Sequence, residues 1–323
     1  NKLLNLGLNY RNIFWVTGIL SFFLSAVLDN LTTALIMCAV VLAIGKNNKK
    51  FVSLSCINIV VAANAGGVFS PFGDITTLMV WQKGHVNFFE FFKLFIPACV
   101  NYLVPAFCLQ ITLPKTKPEI KSGEEKLIKG GTGLIFLFGL TMATAVGLHH
   151  VLHFPPVFGM MLGLGYLLLY TYYLNQRKKI SDPLDIFKEI QRTEWDTFLF
   201  FYGIIFAVSA LDAFGFLNTF SEKLYQYGET GAHAFIGLVS AVVDNIPVMY
   251  AVLNMNETLS LQQWLLVTLT TGVGGSVLAI GSAAGVALMG QARGHYTFMS
   301  HLKWSWAILL GYAASIACHL LLN

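Results

Sequence analysis

Two short phrases place a carboxylate and an amide inside apolar runs that should carry neither. Ser25-Ala26-Val27-Leu28-Asp29-Asn30 and Ser240-Ala241-Val242-Val243-Asp244-Asn245 differ by one conservative change, and each is set in a long hydrophobic stretch. An aspartate in hydrocarbon costs roughly 2.5–3.5 kcal/mol on insertion scales, so a chain that places one twice in the same context has a use for both. A second motif repeats with the first: Gly66-Gly67 followed by Gly73-Asp74, and Gly274-Gly275 followed by Gly281-Ser282. Around these motifs lie carboxylates (Asp29, Asp74, Asp244), amides (Asn30, Asn64, Asn245) and hydroxyls (Thr32, Thr33, Ser70, Thr76, Thr77, Ser240, Thr271, Ser276, Ser282). Oxygen ligands of this kind suit hard cations. Neither motif holds a cationic side chain that could bind an anion. Burial disfavours an ionised carboxylate and a bound cation favours it, so proton and metal ion compete for one site. With access to one side at a time, that competition suffices for cation/proton exchange.

Composition fixes the medium in which this chemistry sits. The chain is 56% hydrophobic and only 11% charged, which excludes an ordinary soluble domain and implies an all-α polytopic membrane protein in contact with lipid. The net charge of +4 is no nucleic-acid footprint, because the basic residues sit in short loops where they set topology. The five cysteines are scattered in apolar runs without the spacing of a disulfide frame or a metal knuckle. No nucleophile–base constellation appears, and the glycines lack the lysine of a phosphate-binding loop, so neither an enzyme nor a cofactor is expected. The sequence opens at Asn1 without the layout of a signal peptide and reads as a piece lacking its N-terminal part.

The elements that must position the motifs follow from hydropathy and lysine distribution. Residues 12–44 have basic flanks at both ends and Asp29-Asn30 in the middle, which predicts a re-entrant hairpin of two short helices with that pair at its tip. Residues 51–81 form a crossing whose glycines and Pro71 predict a broken helix, and residues 88–113 return. Residues 114–130, rich in lysine and glutamate, are a cytoplasmic linker. Crossings are expected at 134–150, 156–174 and 198–217, with an amphipathic surface helix over 182–195. A second hairpin (232–253), a second broken helix (262–289) and a last helix (304–322) complete the chain. On this reading residues 1–113 are the C-terminal part of one repeat and 131–323 a second. The two hairpins enter from opposite faces, so the repeats are inverted and their site lies where the broken helices meet. Gly66, Gly67, Gly73, Gly274, Gly275 and Gly281 are the hinge positions.

At these residues the chain resembles the NhaD-type sodium/proton antiporters of the ion transporter superfamily, which also contains arsenite permeases and divalent-anion/sodium symporters. The resemblance rests on Asp29-Asn30-Leu31-Thr32-Thr33, Ser70-Pro71-Phe72-Gly73-Asp74-Ile75-Thr76-Thr77, Asp244-Asn245-Ile246-Pro247 and Gly274-Gly275 through Gly281-Ser282. It implies exchange of Na+ or Li+ for H+, a homodimer, and a multi-pass location in the bacterial cytoplasmic (inner) membrane or an organellar membrane. Functional positions carried over are Asp29, Asn64, Asp74, Thr76, Thr77, Ser240, Asn245 and Ser282, with Na+ expected at Asp29, Asn64, Asp74 and Thr76. The competing readings are a sodium-coupled or channel-like transporter of an anion or neutral solute, a non-transporting membrane scaffold, and, for Asp74 alone, a helix cap.

Overall fold

The computed structural model describes residues 9–45, 48–114, 116–118, 131–152, 154–176, 191, 195–226, 228–255 and 259–323. Most of the expected linker 114–130 and of the surface helix 182–195 lies outside these residues, as do Lys46 and the basic run 177–179. All regular structure among the described residues is helical. Among the described residues six helices are long and apolar enough to cross a membrane: Tyr10–Leu28, Lys49–Gly67, Phe88–Ile111, Gly131–Leu152, Val157–Gln176 and Ser305–Leu322. A helix satisfies its own backbone groups, which is what hydrocarbon demands.

The described residues divide into two compact units, one within 131–200 and the other made of 9–118 with 201–323. This differs from the expected division at the linker. In the smaller unit α6 (Gly131–Leu152) and α7 (Val157–Gln176) run antiparallel, with Gly159 against Ala145 and Gly163 against Thr141. Glycine at both contacts lets the helices touch backbone to side chain, as membrane helix pairs do.

The larger unit holds both motifs. α1 (Tyr10–Leu28) and α2 (Asn30–Gly45) are separated by Asp29 alone. Both pack on α3 (Lys49–Gly67). α1 runs parallel to α3, with the Tyr10 and Phe51 rings 4.5 Å apart and Asn58 Nδ2 donating to Phe14 O at 2.9 Å. α2 runs the other way, with Cys38 Sγ 3.9 Å from Cys56 Sγ and Asn30 beside Asn64. The two arms therefore form a hairpin whose tip lies level with the end of α3. Residues 68–74 then break the helix before α4 (Ile75–Gln82).

The second half repeats this plan. α10 (Glu229–Val243) and α11 (Asn245–Asn254) meet at Asp244, and α10 runs parallel to α12 (Leu261–Gly274) through His233–Gln263 at 2.8 Å and Ser240–Thr271 at 2.8 Å. Residues 275–282 break that helix before α13 (Ala283–Gln291). α2 of the first hairpin packs on α13, and α11 of the second on α4.

Two expected crossings differ in detail. Residues 88–113 begin as a 3-10 helix, Phe88–Leu94, closed by a capping box between Asn87 and Glu90, and continue as α5 (Phe95–Ile111). The helix expected over 198–217 stops earlier, as α8 (Trp195–Ala213), because Gly215 takes φ 74° and turns the chain. The following α9 (Phe216–Tyr225) leaves at 79°. A short α14 (Phe298–Leu302) precedes the last helix, α15 (Ser305–Leu322).

Candidate cation site at the meeting of two hairpin tips and two helix breaks

Each hairpin is seated on its broken helix by matched contacts. Ser25 Oγ donates to Ala63 O at 2.6 Å, and Ser240 Oγ to Thr271 O at 2.8 Å. These hydroxyls stand at the same distance in sequence before their tip aspartates. Gly66 lies against Phe22 O and Gly274 against Gly237 O so closely that neither position has room for a Cβ. Both tip aspartates have positive φ, 65° for Asp29 and 84° for Asp244, and they are the only non-glycine residues so placed among those described. Such a conformation costs about 1–3 kcal/mol and persists only where surrounding contacts impose it.

The strained tips aim the next residues, Asn30 and Asn245, inward. Asn245 Nδ2 donates to Asp74 Oδ2 at 2.7 Å, and Asn30 Nδ2 approaches both Asp74 Oδ2 and Asn64 Oδ1 at 3.1 Å. Asn64 Nδ2 then donates to Ser282 Oγ at 3.0 Å. The network thus joins both tips to both breaks, and all five side chains are buried, Asp74 to 3% exposure. Asp74 is its only carboxylate, and no cationic side chain belongs to it.

Asp74 also caps α4. Its Oδ1 accepts from Thr76 N at 3.3 Å, its backbone N–H donates to Thr77 Oγ1 at 3.3 Å, and Thr77 Oγ1 donates back to Asp74 O at 2.7 Å. One oxygen restarts the helix and the other faces the amides, so capping and a role in the network are compatible. Ser282 is the matching cap of α13, accepting from Gly285 N at 3.3 Å.

Of the residues expected to bind the cation, the structure brings together Asn30, Asn64, Asp74, Asn245 and Ser282, with Thr76 and Thr77 at the cap. It does not bring Asp29, Thr32, Asp244 or Ser240 into that network. Asp29 Oδ1 and Oδ2 accept from Thr32 N at 2.8 Å and Thr32 Oγ1 at 2.7 Å, because the first turn of α2 needs an acceptor. Asp244 Oδ1 accepts from Asn245 N at 2.9 Å for the same reason at α11. In the hydrogen-bond network it is Asn30, and not Asp29, that stands beside Asn64 and Asp74.

One feature was missed in the sequence. Gly272 stands where the first half has Asn64, and a Cβ built on it would lie 4.0 Å from Asp74 Oδ2 and press on Val68. Aligning the two halves would have exposed that difference. The hydroxyls of Thr33, Thr76 and Thr271, three of the oxygens that the sequence offers, are buried without a hydrogen-bond partner.

A buried carboxylate held by reversible amides can accept a proton or a small cation. An amide offers an oxygen as readily as an N–H when it turns about its last torsion, so Asn30, Asn64 and Asn245 can serve either state of Asp74.

Comparison with known proteins agrees with this chemistry. The citrate transporter family, CitMHS, matches residues 1–272. The Na(+)/H(+) antiporter NhaD of Vibrio cholerae is 52% identical over 345 residues, which cover 99% of this chain and 72% of that protein. NhaD of Vibrio parahaemolyticus is 52% identical over 331 residues, covering 95% and 80%. Sodium/proton antiporter 1 of Arabidopsis thaliana is 35% identical over 323 residues, covering 96% and 55%. With half of its residues shared along nearly its whole length, the chain belongs to the NhaD family of transporters within the ion transporter superfamily.

Proposed function

We propose that this protein exchanges Na+ or Li+ for H+ across the bacterial cytoplasmic membrane, with Asp74 as the group for which cation and proton compete. The observation that carries this reading is the convergence of both hairpin tips and both helix breaks on one buried carboxylate. Asp74 Oδ2 is the anionic pole. Asn30, Asn64 and Asn245 are neutral ligands that rotate between donor and acceptor, and the hydroxyls of Thr76 and Ser282 complete the oxygen set. Asp29 and Asp244 fix the tips and add negative potential without touching the ion. A citrate-like anion finds no partner here, since no Lys, Arg or His is part of the network. The protein is a transporter rather than an enzyme.

The two halves enter the membrane from opposite sides as inverted repeats. The lysine distribution and the matched hairpin contacts support that arrangement, in which rocking of one part against another exposes the site alternately. The protein works as a homodimer, a reading supported by its family resemblance and tested by cross-linking in native membranes. Na+ added to everted vesicles holding a preformed pH gradient collapses that gradient, and the apparent KM for Na+ rises as the medium is acidified. A gradient unchanged by Na+ or Li+ between about pH 6 and 9 removes the proposal; that window brackets the range in which perturbed buried carboxylates titrate.

A further inference from the structure

Beyond the Asp74 network, one buried cluster touches the machinery without belonging to it. His301 on α14 is fully buried, and its Nε2 lies 2.9 Å from Ser276 O, a carbonyl of the second break. A carbonyl can only accept, so Nε2 carries the hydrogen and Nδ1 is bare. Tyr296 completes the arrangement, its hydroxyl donating to Nδ1 at 2.7 Å. Ser305 Oγ donates to the next carbonyl, Val277 O, at 2.6 Å. Two consecutive carbonyls of the break, just past the end of α12, are thus held from outside.

The first half has a matching loop without the means to do this. Gly84 and Gly294 both have positive φ, and the capping boxes of Asn87 with Glu90 and of Thr297 with Ser300 follow at the same spacing. In that register Phe91 stands where His301 does, Val86 where Tyr296 does, and Phe95 where Ser305 does. None of these side chains can donate a hydrogen bond.

We infer that His301 and Ser305 are positioning residues that clamp the second helix break, fixing Ser282 as a rigid wall of the cation site. The inference rests on the exchange reading above. With Ser276 O and Val277 O occupied by protein donors, these two carbonyls are withheld from the ion, and Ser282 is the side chain that the second break offers. Asn64 leans on that fixed hydroxyl and so holds its amide against Asn30 and Asp74.

The test compares wild type, His301→Phe, His301→Gln and Ser305→Ala as full-length protein. Na+/H+ exchange is read in everted vesicles, and hydrogen–deuterium exchange over residues 276–282 in purified protein. His301→Phe copies the first half and removes the donor; it should raise KM for Na+ roughly tenfold with Vmax within about twofold, and speed amide exchange across the break. His301→Gln keeps a donor and should stay within about twofold of wild type in both. A wild-type KM and unchanged amide exchange in His301→Phe overturn the inference, as does equal damage from Gln and Phe. If His301→Phe is not recovered folded, Ser305→Ala decides: a rise of about threefold in KM with faster amide exchange sustains the clamp, and neither change refutes it. A wild type that does not exchange Na+ sinks the transport reading alone, because amide exchange still reads the clamp.

Discussion

The two helix breaks have one scaffold and two chemistries. Gly66 and Gly274 press on hairpin carbonyls in the same way, Ser25 and Ser240 tie the same turns, and Asp74 and Ser282 cap the helices that restart. The difference lies in two pairs, Asp74 against Ser282 and Asn64 against Gly272. The first break carries a charge and an amide to serve it, and the second a hydroxyl and a glycine. A duplicated backbone therefore supplies the geometry twice, while divergence at two positions concentrates the charge once. A single buried carboxylate also avoids the mutual repulsion that two facing ones would suffer in a low-dielectric site.

The sharpest way to break this comparison is to remove the unequal groups one at a time. Asp74→Asn should reduce exchange by at least about a hundredfold, since it deletes the one carboxylate of the buried network on which the proposed exchange turns. Ser282→Ala removes a neutral hydrogen bond worth about 1 kcal/mol and should raise KM for Na+ severalfold with exchange retained. Similar losses from the two, measured as Na+-dependent gradient collapse, would mean that the breaks share the binding role.

Next in size are the shared parts. Gly66→Ala and Gly274→Ala each force a methyl group into a hairpin carbonyl, and overpacking of this kind costs typically about 1–3 kcal/mol. Both should lower the melting temperature in detergent to a similar degree. A tolerated Gly274→Ala beside a destabilised Gly66→Ala would show that the second hairpin is seated more loosely than the first.

Within the network, Asn245 lies closer to Asp74 than Asn30 does, 2.7 against 3.1 Å, but Asn30 is shared with Asn64. Asn245→Ala should raise KM for Na+ about tenfold, the scale of one charge-assisted hydrogen bond. Asn30→Ala should do at least as much and should in addition abolish the effect of Asn64→Ala. Additive losses at residues 30 and 64 would show that the two amides act independently.

How far this was legible in the sequence depended on what each residue competes for. The hairpins and broken helices could be read because polar tips and paired glycines stand out against an apolar background and occur twice. The end of α8 at Ala213 could not, since Gly215 sits in a run whose composition continues smoothly into α9. The motifs were legible, and the contacts among their residues were less so. Asp29 and Asn30 are neighbours in a motif, and hydropathy does not say which one turns inward. The unpaired N–H groups at the start of α2 take the carboxylate, and a positive φ at Asp29 swings Asn30 to Asp74. His301 was invisible for a related reason: the carbonyls that it holds belong to a break whose exposed groups cannot be enumerated from sequence.

The smallest effects bear on Ser240, which the sequence groups with the cation ligands and the structure seats on Thr271 O. If its hydroxyl only ties the hairpin to the broken helix, Ser240→Ala should behave like Ser25→Ala. Each would lose one buried hydrogen bond, about 1 kcal/mol of stability, with exchange changed by less than about threefold. The two losses should add, because the serines lie on separate hairpins and share no partner. A Ser240→Ala variant as stable as Ser25→Ala but with a KM for Na+ raised tenfold or more would make the hydroxyl a ligand in a state where it leaves Thr271. The second half would then contribute an oxygen from its hairpin as well as one from its break, and the inequality between the halves would be one of charge alone.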